Sequence, residues 1–507
     1  MTPGDDSTRR LRIGVYALLV ALAAGDMCGR LLAVNSVNRQ ELESAQISRR
    51  MAELERQFRS EGVSEDALQA KLEAARVLVE REERRQRPFL SGNDRSRWLA
   101  VRALVEKGTF AIDELIDRNV WNTIDMVKHR GRDGQMHLYS SKPPLLIVLL
   151  AGEYWLVNRI TGWTLADNPY EVGRLMLFTV HVLPMLLLIW IVARLSERFG
   201  RSDWARIYVV AAAAFGTMLT PFVVVLNNHI IGAVSAAVAL DALVRIWCDG
   251  ERRVRWFAVA GGAAAFMAAN ELPALSLAAL MAAALAVVAW RPWLLGFLPA
   301  AAVVAAASFG TNYLAHGSLR PPYAHRSQTD PDDNWYRYTY VLDGKERPSY
   351  WLQPQGIDKG EPTKSAYALH TLIGHHGVFS LTPIWLLSAW GLGLWLVRGR
   401  PEERQLAAGI LLVSVVCLVF YIGLRPQSDR NYGGMTSGFR WVFWMAPLWL
   451  LAMIPAVDRL TRSRWAMAVG LLLLAFSVMS ASYPTWNPWT QPWIYNWLQS
   501  CGWRSFA

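Results

Sequence analysis

Long apolar runs decide what this chain can become. Inside a bilayer the backbone must satisfy its own polar groups, so a run of about 20 apolar residues has one stable form there, the spanning α-helix. Runs of that kind fall near 12–34, 170–195, 205–226, 229–248, 255–271, 273–290, 293–315, 378–397, 405–424, 441–457 and 465–482. Hydrophobic residues make up 53% of the 507 and charged residues 18%. A soluble protein carries roughly a quarter charged residues, so a soluble enzyme, a disordered chain and a secreted disulfide scaffold are all excluded. The pattern predicts an all-α polytopic membrane protein with about eleven transmembrane helices.

The cysteines agree. Cys28, Cys248 and Cys417 sit in apolar runs and Cys501 stands alone in the tail, which gives neither a disulfide framework nor a metal spacing. The first run is too long for a signal peptide and leads into a charged helix, so it is read as a retained span. The net charge of +11 does not point to nucleic acid, because the basic residues lie between apolar segments. That placement is the positive-inside distribution of a plasma-membrane protein.

A twelfth segment, Pro143 to Ile160, carries Glu153, Asn158 and Arg159. If it spans, the clusters Arg194/Arg198/Arg201/Arg206, Arg252/Arg253/Arg255, Arg398/Arg400/Arg404 and Arg459/Arg462/Arg464 lie opposite the N-terminal Arg9, Arg10 and Arg12. If it lies in the interface or re-enters, all of them share the cytoplasmic side. The Lys/Arg rule selects the second arrangement, with the C-terminus outside.

The chain then divides into 1–36 (first span), 37–88 (external helical hairpin), 89–169 (first external loop with interfacial helices), 170–315 (spans two to seven), 316–377 (external loop), 378–482 (spans eight to eleven) and 483–507 (external tail). In the hairpin, Ile47, Met51, Leu54 and Phe58 share a helical face, Gly62 breaks the period, and Ser64-Glu65-Asp66 opens a second helix ending by Pro88. It reads as a scaffold or a contact for an oligomer. The loop 316–377 is rich in Tyr and Trp without helical period, and suits either a sugar platform or a packed lid. The tail, with Trp486, Trp489, Trp493, Trp497 and Trp503, reads as an interfacial belt. Asp241 and Arg245 are expected to form a structural i,i+4 pair.

Two short stretches carry chemistry. Asn93-Asp94-Arg95-Ser96-Arg97-Trp98 opens an amphipathic helix that stops at Lys107-Gly108, and Asp94 there serves as an N-cap or as a general base. Tyr139-Ser140-Ser141-Lys142-Pro143-Pro144-Leu145 presents Lys142 at headgroup depth, as a snorkelling anchor or a contact to a lipid phosphate. On the same side lie Asn227-Asn228-His229, Asn270-Glu271, His375-His376 and Arg430 to Arg440. Each has an ordinary reading as a polar turn, a cap or an anchor.

Together these stretches resemble the GT-C superfamily of polyprenyl-phosphate-sugar-dependent glycosyltransferases, in particular the protein O-mannosyltransferase and lipid A aminoarabinose transferase branch. That branch carries an Asp-Glu-x-Arg-Tyr-like motif in its first extracytoplasmic loop and a Lys/His-Pro-Pro-Leu segment after it. Asp94, Arg97 and Trp98 match the first motif and Lys142 to Leu145 the second, while the second acid is replaced by Arg95. Gly374 to Pro383 and Asn431 to Arg440 are similar to later motifs of the superfamily.

The resemblance implies a sugar donor on polyprenyl phosphate, an acceptor hydroxyl of a protein, lipid or polysaccharide, and an extracytoplasmic active site. In it Asp94 is the base, Lys142, Arg97, His376 and Arg440 hold the phosphate, and Asn93, Tyr139, His229, Glu271, His375, Arg430 and Tyr432 line the substrate site. With Arg95 breaking the acid pair, no cofactor is expected and a divalent metal is unsupported. Two competing readings are a transporter or flippase of lipid-linked sugars and a non-catalytic membrane assembly protein. The first suffers from the lack of an internal repeat and from polar residues that cluster outside the spans.

Overall fold

The computed structural model describes residues 3–36, 39–83, 89–117 and 120–503. Helices α1 (Pro3–Ser36), α2 (Arg39–Ser60), α3 (Glu65–Glu83) and α4 (Gly92–Arg102) precede a hairpin of β1 (Met126–Arg130) and β2 (Met136–Ser140). Next come α5 (Pro144–Thr161), α6 (Pro169–Phe199), α7 (Asp203–Phe215), α8 (Asn228–Trp247), α9 (Val254–Asn270), α10 (Leu272–Val288) and α11 (Trp290–His316). A smaller hairpin, β3 (Thr339–Leu342) and β4 (Lys345–Pro348), leads to α12 (Lys364–Leu372) and α13 (Trp385–Arg398). The chain closes with α14 (Pro401–Leu424), α15 (Arg440–Leu460), α16 (Arg464–Ser482) and α17 (Trp493–Ser500).

The protein is an all-α polytopic membrane protein. Among the described residues nine helices are long and apolar enough to cross a bilayer, α5 included. Three of the predicted runs give shorter helices. α9 and α10 fall just under that length, and the run at 378–397 is cut into Val378–Leu381 and the 14-residue α13. The cut comes at Thr382-Pro383, where the proline ring disfavours helical backbone at the residue before it.

Tertiary contacts sort the charged clusters to one end of the bundle. Arg12 pairs with Glu197 and Asp203, and Tyr16 donates to Glu197. Arg198 pairs with Asp249 at 2.8 Å, and Asp458 accepts from the Arg201 and Ser202 amides. Arg398, Arg459 and Arg462 line one pocket with Arg201 and Asp458. Asp241 accepts from Arg245 at 3.0 Å, as expected, and also pairs with Arg194 at 3.4 Å.

Both ends of α5 meet one stretch of the chain. At its start Lys142 pairs with Asp125. Just past its end the Leu165 amide donates to Glu106 and to Tyr154, whose hydroxyl also donates to Glu106. Glu106 and Asp125 both lie on the segment that runs from α4 to β1. Soon afterwards α6 packs Gly173 against Phe89, close enough that a Cβ would strike the ring.

The hairpin α2–α3 packs on itself. Gly62 takes a left-handed φ of 72° at the turn, Arg59 pairs with Glu55 and Glu65, and Leu68 and Val79 are buried apart from the main core. Its predicted end at Pro88 lies outside the described residues.

Tying both ends of α5 to one segment predicts that single cysteines at Thr161 and Asp167, both exposed, react with an impermeant thiol reagent from the same side as a cysteine at exposed Asp133 in the β1–β2 turn. The labelling is done in a background without the four native cysteines. Reaction from the face opposite Asp133 would make α5 a span.

Candidate functional site

The site begins with α4, whose first turn is a capping arrangement. Ser91 is the N-cap and accepts from the Asp94 amide at 3.2 Å, while Asp94 reaches back to the Leu90 amide at 3.1 Å. Asp94 is therefore in the first turn and not itself the cap. Its other oxygen accepts from the Trp98 indole at 3.0 Å and from the Leu226 amide at 2.8 Å, so it pins α4 to the approach of α8. Every partner of this carboxylate is an N–H donor. Burial pushes the carboxyl up to about 7, against the pull of the Leu226 amide.

The β1–β2 hairpin supplies the next pair. Its register sets Met126 opposite Ser140, and the Ser141 amide donates to the Asp125 carbonyl at 3.1 Å. The open end thus brings Asp125 beside Lys142, Nζ to Oδ1 2.9 Å, with both side chains about 15% exposed. Ser96 of α4 clamps that end by donating to the Asp125 carbonyl at 2.6 Å while lying 2.7 Å from the Ser140 hydroxyl. Burial pushes the Lys142 ammonium down to about 8, Asp125 opposing and Arg97 reinforcing. Burial alone would raise the Asp125 carboxyl, but Lys142 beside it, with Arg440 and Arg97, holds it below its ordinary value.

The start of α8 carries the network onward. Asn227 caps the helix by accepting from the Ile230 amide, which leaves Asn228 and His229 in the first turn. Arg97 donates to Asn93 at 2.5 Å and to Asn228 at 2.6 Å. Asn228 donates to Glu271 at 2.9 Å, and His229 Nδ1 lies 2.5 Å from the same oxygen. Gly232, one turn along α8, leaves the space into which the Glu271 side chain packs, since a Cβ would sit 2.8 Å from Glu271 Cγ. Arg440, at the start of α15, reaches His229 Nε2 at 3.3 Å and lies 4.8 Å above the Trp489 ring. Its Nε has no hydrogen-bond partner among the described residues. Gly433, with φ 100°, gives the loop before α15 a left-handed turn against the Arg440 side chain, where any Cβ would collide. Burial pushes the Arg97 guanidinium down to about 10, reinforced by Arg440.

The aromatic loop between α11 and α12 docks along this network. The Lys128 amide donates to the Trp335 carbonyl at 3.0 Å, Tyr338 to Met126 at 3.2 Å and the Trp351 indole to Ile124 at 2.8 Å. These bonds hold the loop along the strand that follows Asp125. Beside the network lies an apolar cleft lined by Met218, Leu381, Trp385, Phe439, Phe443 and Trp449. Phe443 connects the two, its ring 6.1 Å from that of His229.

Of the residues singled out from sequence, Lys142, Arg97, Arg440, Asn93, His229 and Glu271 meet in one network. Asp94 supports that network from behind. Tyr139 points into a small core with Val127 and Tyr336, stacked 4.1 Å on His129. Arg430 straps the backbone of Glu361 and Pro362. His375, His376 and Tyr432 form a separate buried group, with His376 stacked 4.2 Å on Tyr432. Asp125 and Trp489 are the members that sequence reasoning missed. Asp125 had a signal: Asp133-Gly134 between Met126–Arg130 and Met136–Ser140 is a hairpin turn, and pairing outward from it lands Asp125 beside Ser141. No protein-family model matches this sequence, and no curated protein is significantly similar to it.

Because only N–H donors face Asp94, an amide there would turn its NH₂ toward one of them. Asp94→Asn should lower stability by about 1–3 kcal/mol, the usual loss for an unsatisfied buried group, measured as detergent-phase thermal unfolding. A variant as stable as wild type would contradict this role.

Proposed function

We propose that this protein is a membrane-embedded glycosyltransferase of the GT-C type. It would move a sugar from a polyprenyl-phosphate carrier to an acceptor hydroxyl of a protein, lipid or polysaccharide at the outer face of the plasma membrane. The observation that carries this reading is the grouping of Lys142, Arg97 and Arg440 around Asp125 beside an apolar cleft. Three buried cations converge there, opposed by the carboxyls of Asp125, Glu271, Asp94 and Asp358, and three converging donors of positive charge suit a phosphate. In the topology that goes with this reading, α5 lies on the outer side and eleven segments cross.

Asp125 is the better-placed base than Asp94, whose oxygens are already taken by three N–H groups. The donor phosphate draws Lys142 away from Asp125. The freed carboxylate accepts the hydroxyl proton as the acceptor oxygen attacks the anomeric carbon. The bond from that carbon to the phosphate oxygen breaks, and Lys142, Arg97 and Arg440 hold the departing phosphate. Attack from the opposite face inverts the configuration. The loop over Asp125 forms the acceptor side, and its aromatic residues exclude water.

Transfer is measured in membranes with a labelled polyprenyl-phosphate sugar. Asp125→Asn should lower turnover roughly 10²–10⁴-fold, as for loss of a positioned base. Lys142→Ala should raise the donor KM instead. Near-wild-type transfer by Asp125→Asn would overturn the assignment.

The pH profile gives a second check. Lys142 binds phosphate only while protonated, so kcat/KM should fall as pH rises through about 8. Lys142→Arg should move that limb upward, because guanidinium stays charged. An alkaline limb unchanged by the substitution would remove Lys142 from the phosphate site.

A further inference from the structure

Away from the Asp125 network, the segment before α13 folds two histidines and a glutamate together. His370 is in the last turn of α12, and the chain reverses at once: the Gly374 amide donates to Leu369 and the His376 amide to His370. The turn stacks His375 on His370 with ring centroids 4.0 Å apart. Gly374 permits this approach, since a Cβ there would lie 2.5 Å from His370 Nδ1. Glu361, just before α12, is held by the hydrogen bond its amide donates to the Arg430 carbonyl. One ligand atom from each of Glu361, His370 and His375 falls within 4.8 Å of the other two.

Each group is oriented from behind, as metal ligands are. Tyr432 donates its hydroxyl to Glu361 at 2.6 Å, and His375 Nδ1 lies 2.5 Å from His376 Nδ1. His370 Nδ1 and His375 Nε2 are buried and, like His376 Nε2, without a hydrogen-bond partner among the described residues. His375 is 0% exposed. Two unpartnered buried imidazole nitrogens beside a carboxylate are each left without the hydrogen bond that water would give them. A cation among them supplies the missing partner.

We propose that Glu361, His370 and His375 bind one divalent cation of the zinc class. With its Nδ1–H donated in a hydrogen bond to His376 Nδ1, His375 offers the Nε2 lone pair. Two nitrogens and one carboxylate disfavour magnesium and calcium, which prefer oxygen. A tetrahedral zinc with bonds of about 2.0–2.1 Å needs its ligand atoms roughly 3.4 Å apart, a contraction that side-chain rotation supplies. The fourth position is left for water. The tail covers the group, with the Trp503 ring 5.3 Å and the Tyr495 ring 5.3 Å from His375. The ion would fasten the turn after α12 to Tyr432, and so to the loop that carries Arg440. This site stands independently of the glycosyltransferase reading.

The test uses the full chain in detergent, purified through a tag without histidine, stripped with EDTA and titrated with Zn²⁺. After removal of free metal, elemental analysis should find about one zinc per chain, and thermal unfolding should move to higher temperature with Zn²⁺ but not with Mg²⁺. Glu361→Gln and His375→Ala should each lose the retained zinc. Should a variant fail to fold, Co²⁺ added to the wild-type protein gives the readout, through the visible absorption of a tetrahedral nitrogen–oxygen site. Absence of both retained zinc and a cobalt spectrum in wild type, or full retention in folded Glu361→Gln and His375→Ala, would overturn the proposal.

Discussion

The ion pair between Lys142 and Asp125 is the interaction around which the rest of the site is arranged. Removing two charges from water costs several kcal/mol each, and a buried pair recovers that only with good geometry and further hydrogen bonds. Here the pair is 2.9 Å long, and the backbone on either side is clamped by Ser96 and by the hairpin ladder. Arg97 and Arg440 add two more cations. Their charge is met by Asn93, Asn228, His229 and Glu271, linked in one chain of hydrogen bonds. A lone buried cation would be expelled or neutralised, whereas this network keeps three in place.

Holding that network requires fixed backbone on three sides. Asp94 fastens α4 to the residue before the α8 cap. Gly232 and Gly433 remove the Cβ atoms that would push Glu271 and Arg440 away. The aromatic loop closes the remaining side by bonding to the backbone of Ile124, Met126 and Lys128. Burial then acts on the trapped charges themselves, lowering Lys142 and Arg97 while Asp125 stays ionised under its cationic neighbours. Charges held this way interact strongly, because water no longer screens them.

The contrast between Asp94 and Asp125 shows where linear reading stops. Asp94 stands three residues before an arginine and at the start of a helix, a local pattern that the sequence displays openly. Asp125 stands in an unremarkable stretch, and its neighbour Lys142 is separated from it by a whole hairpin. The turn at Asp133-Gly134 marks that hairpin, but the neighbouring residues also mix polar and apolar types, so the period-two signal is weak. Trp489 had no local signal at all. It was one tryptophan among several in a segment expected to meet lipid, yet it lies under Arg440 and against Phe222.

By itself the sequence determined the membrane class, the approximate ends of most apolar helices, the hairpin between residues 39 and 83, and the stop at Gly108. All of these follow from hydropathy and short-range backbone preference, which act over a few residues to a few turns. Tertiary structure alone decided that both ends of α5 meet the same segment, that the arginine clusters gather at one end, and that Asp125 faces Lys142 while Asp94 faces backbone amides. It also set His370, His375 and Glu361 around one point. Those outcomes depend on which buried charges find partners, and partner choice is settled by packing among residues up to hundreds of positions apart.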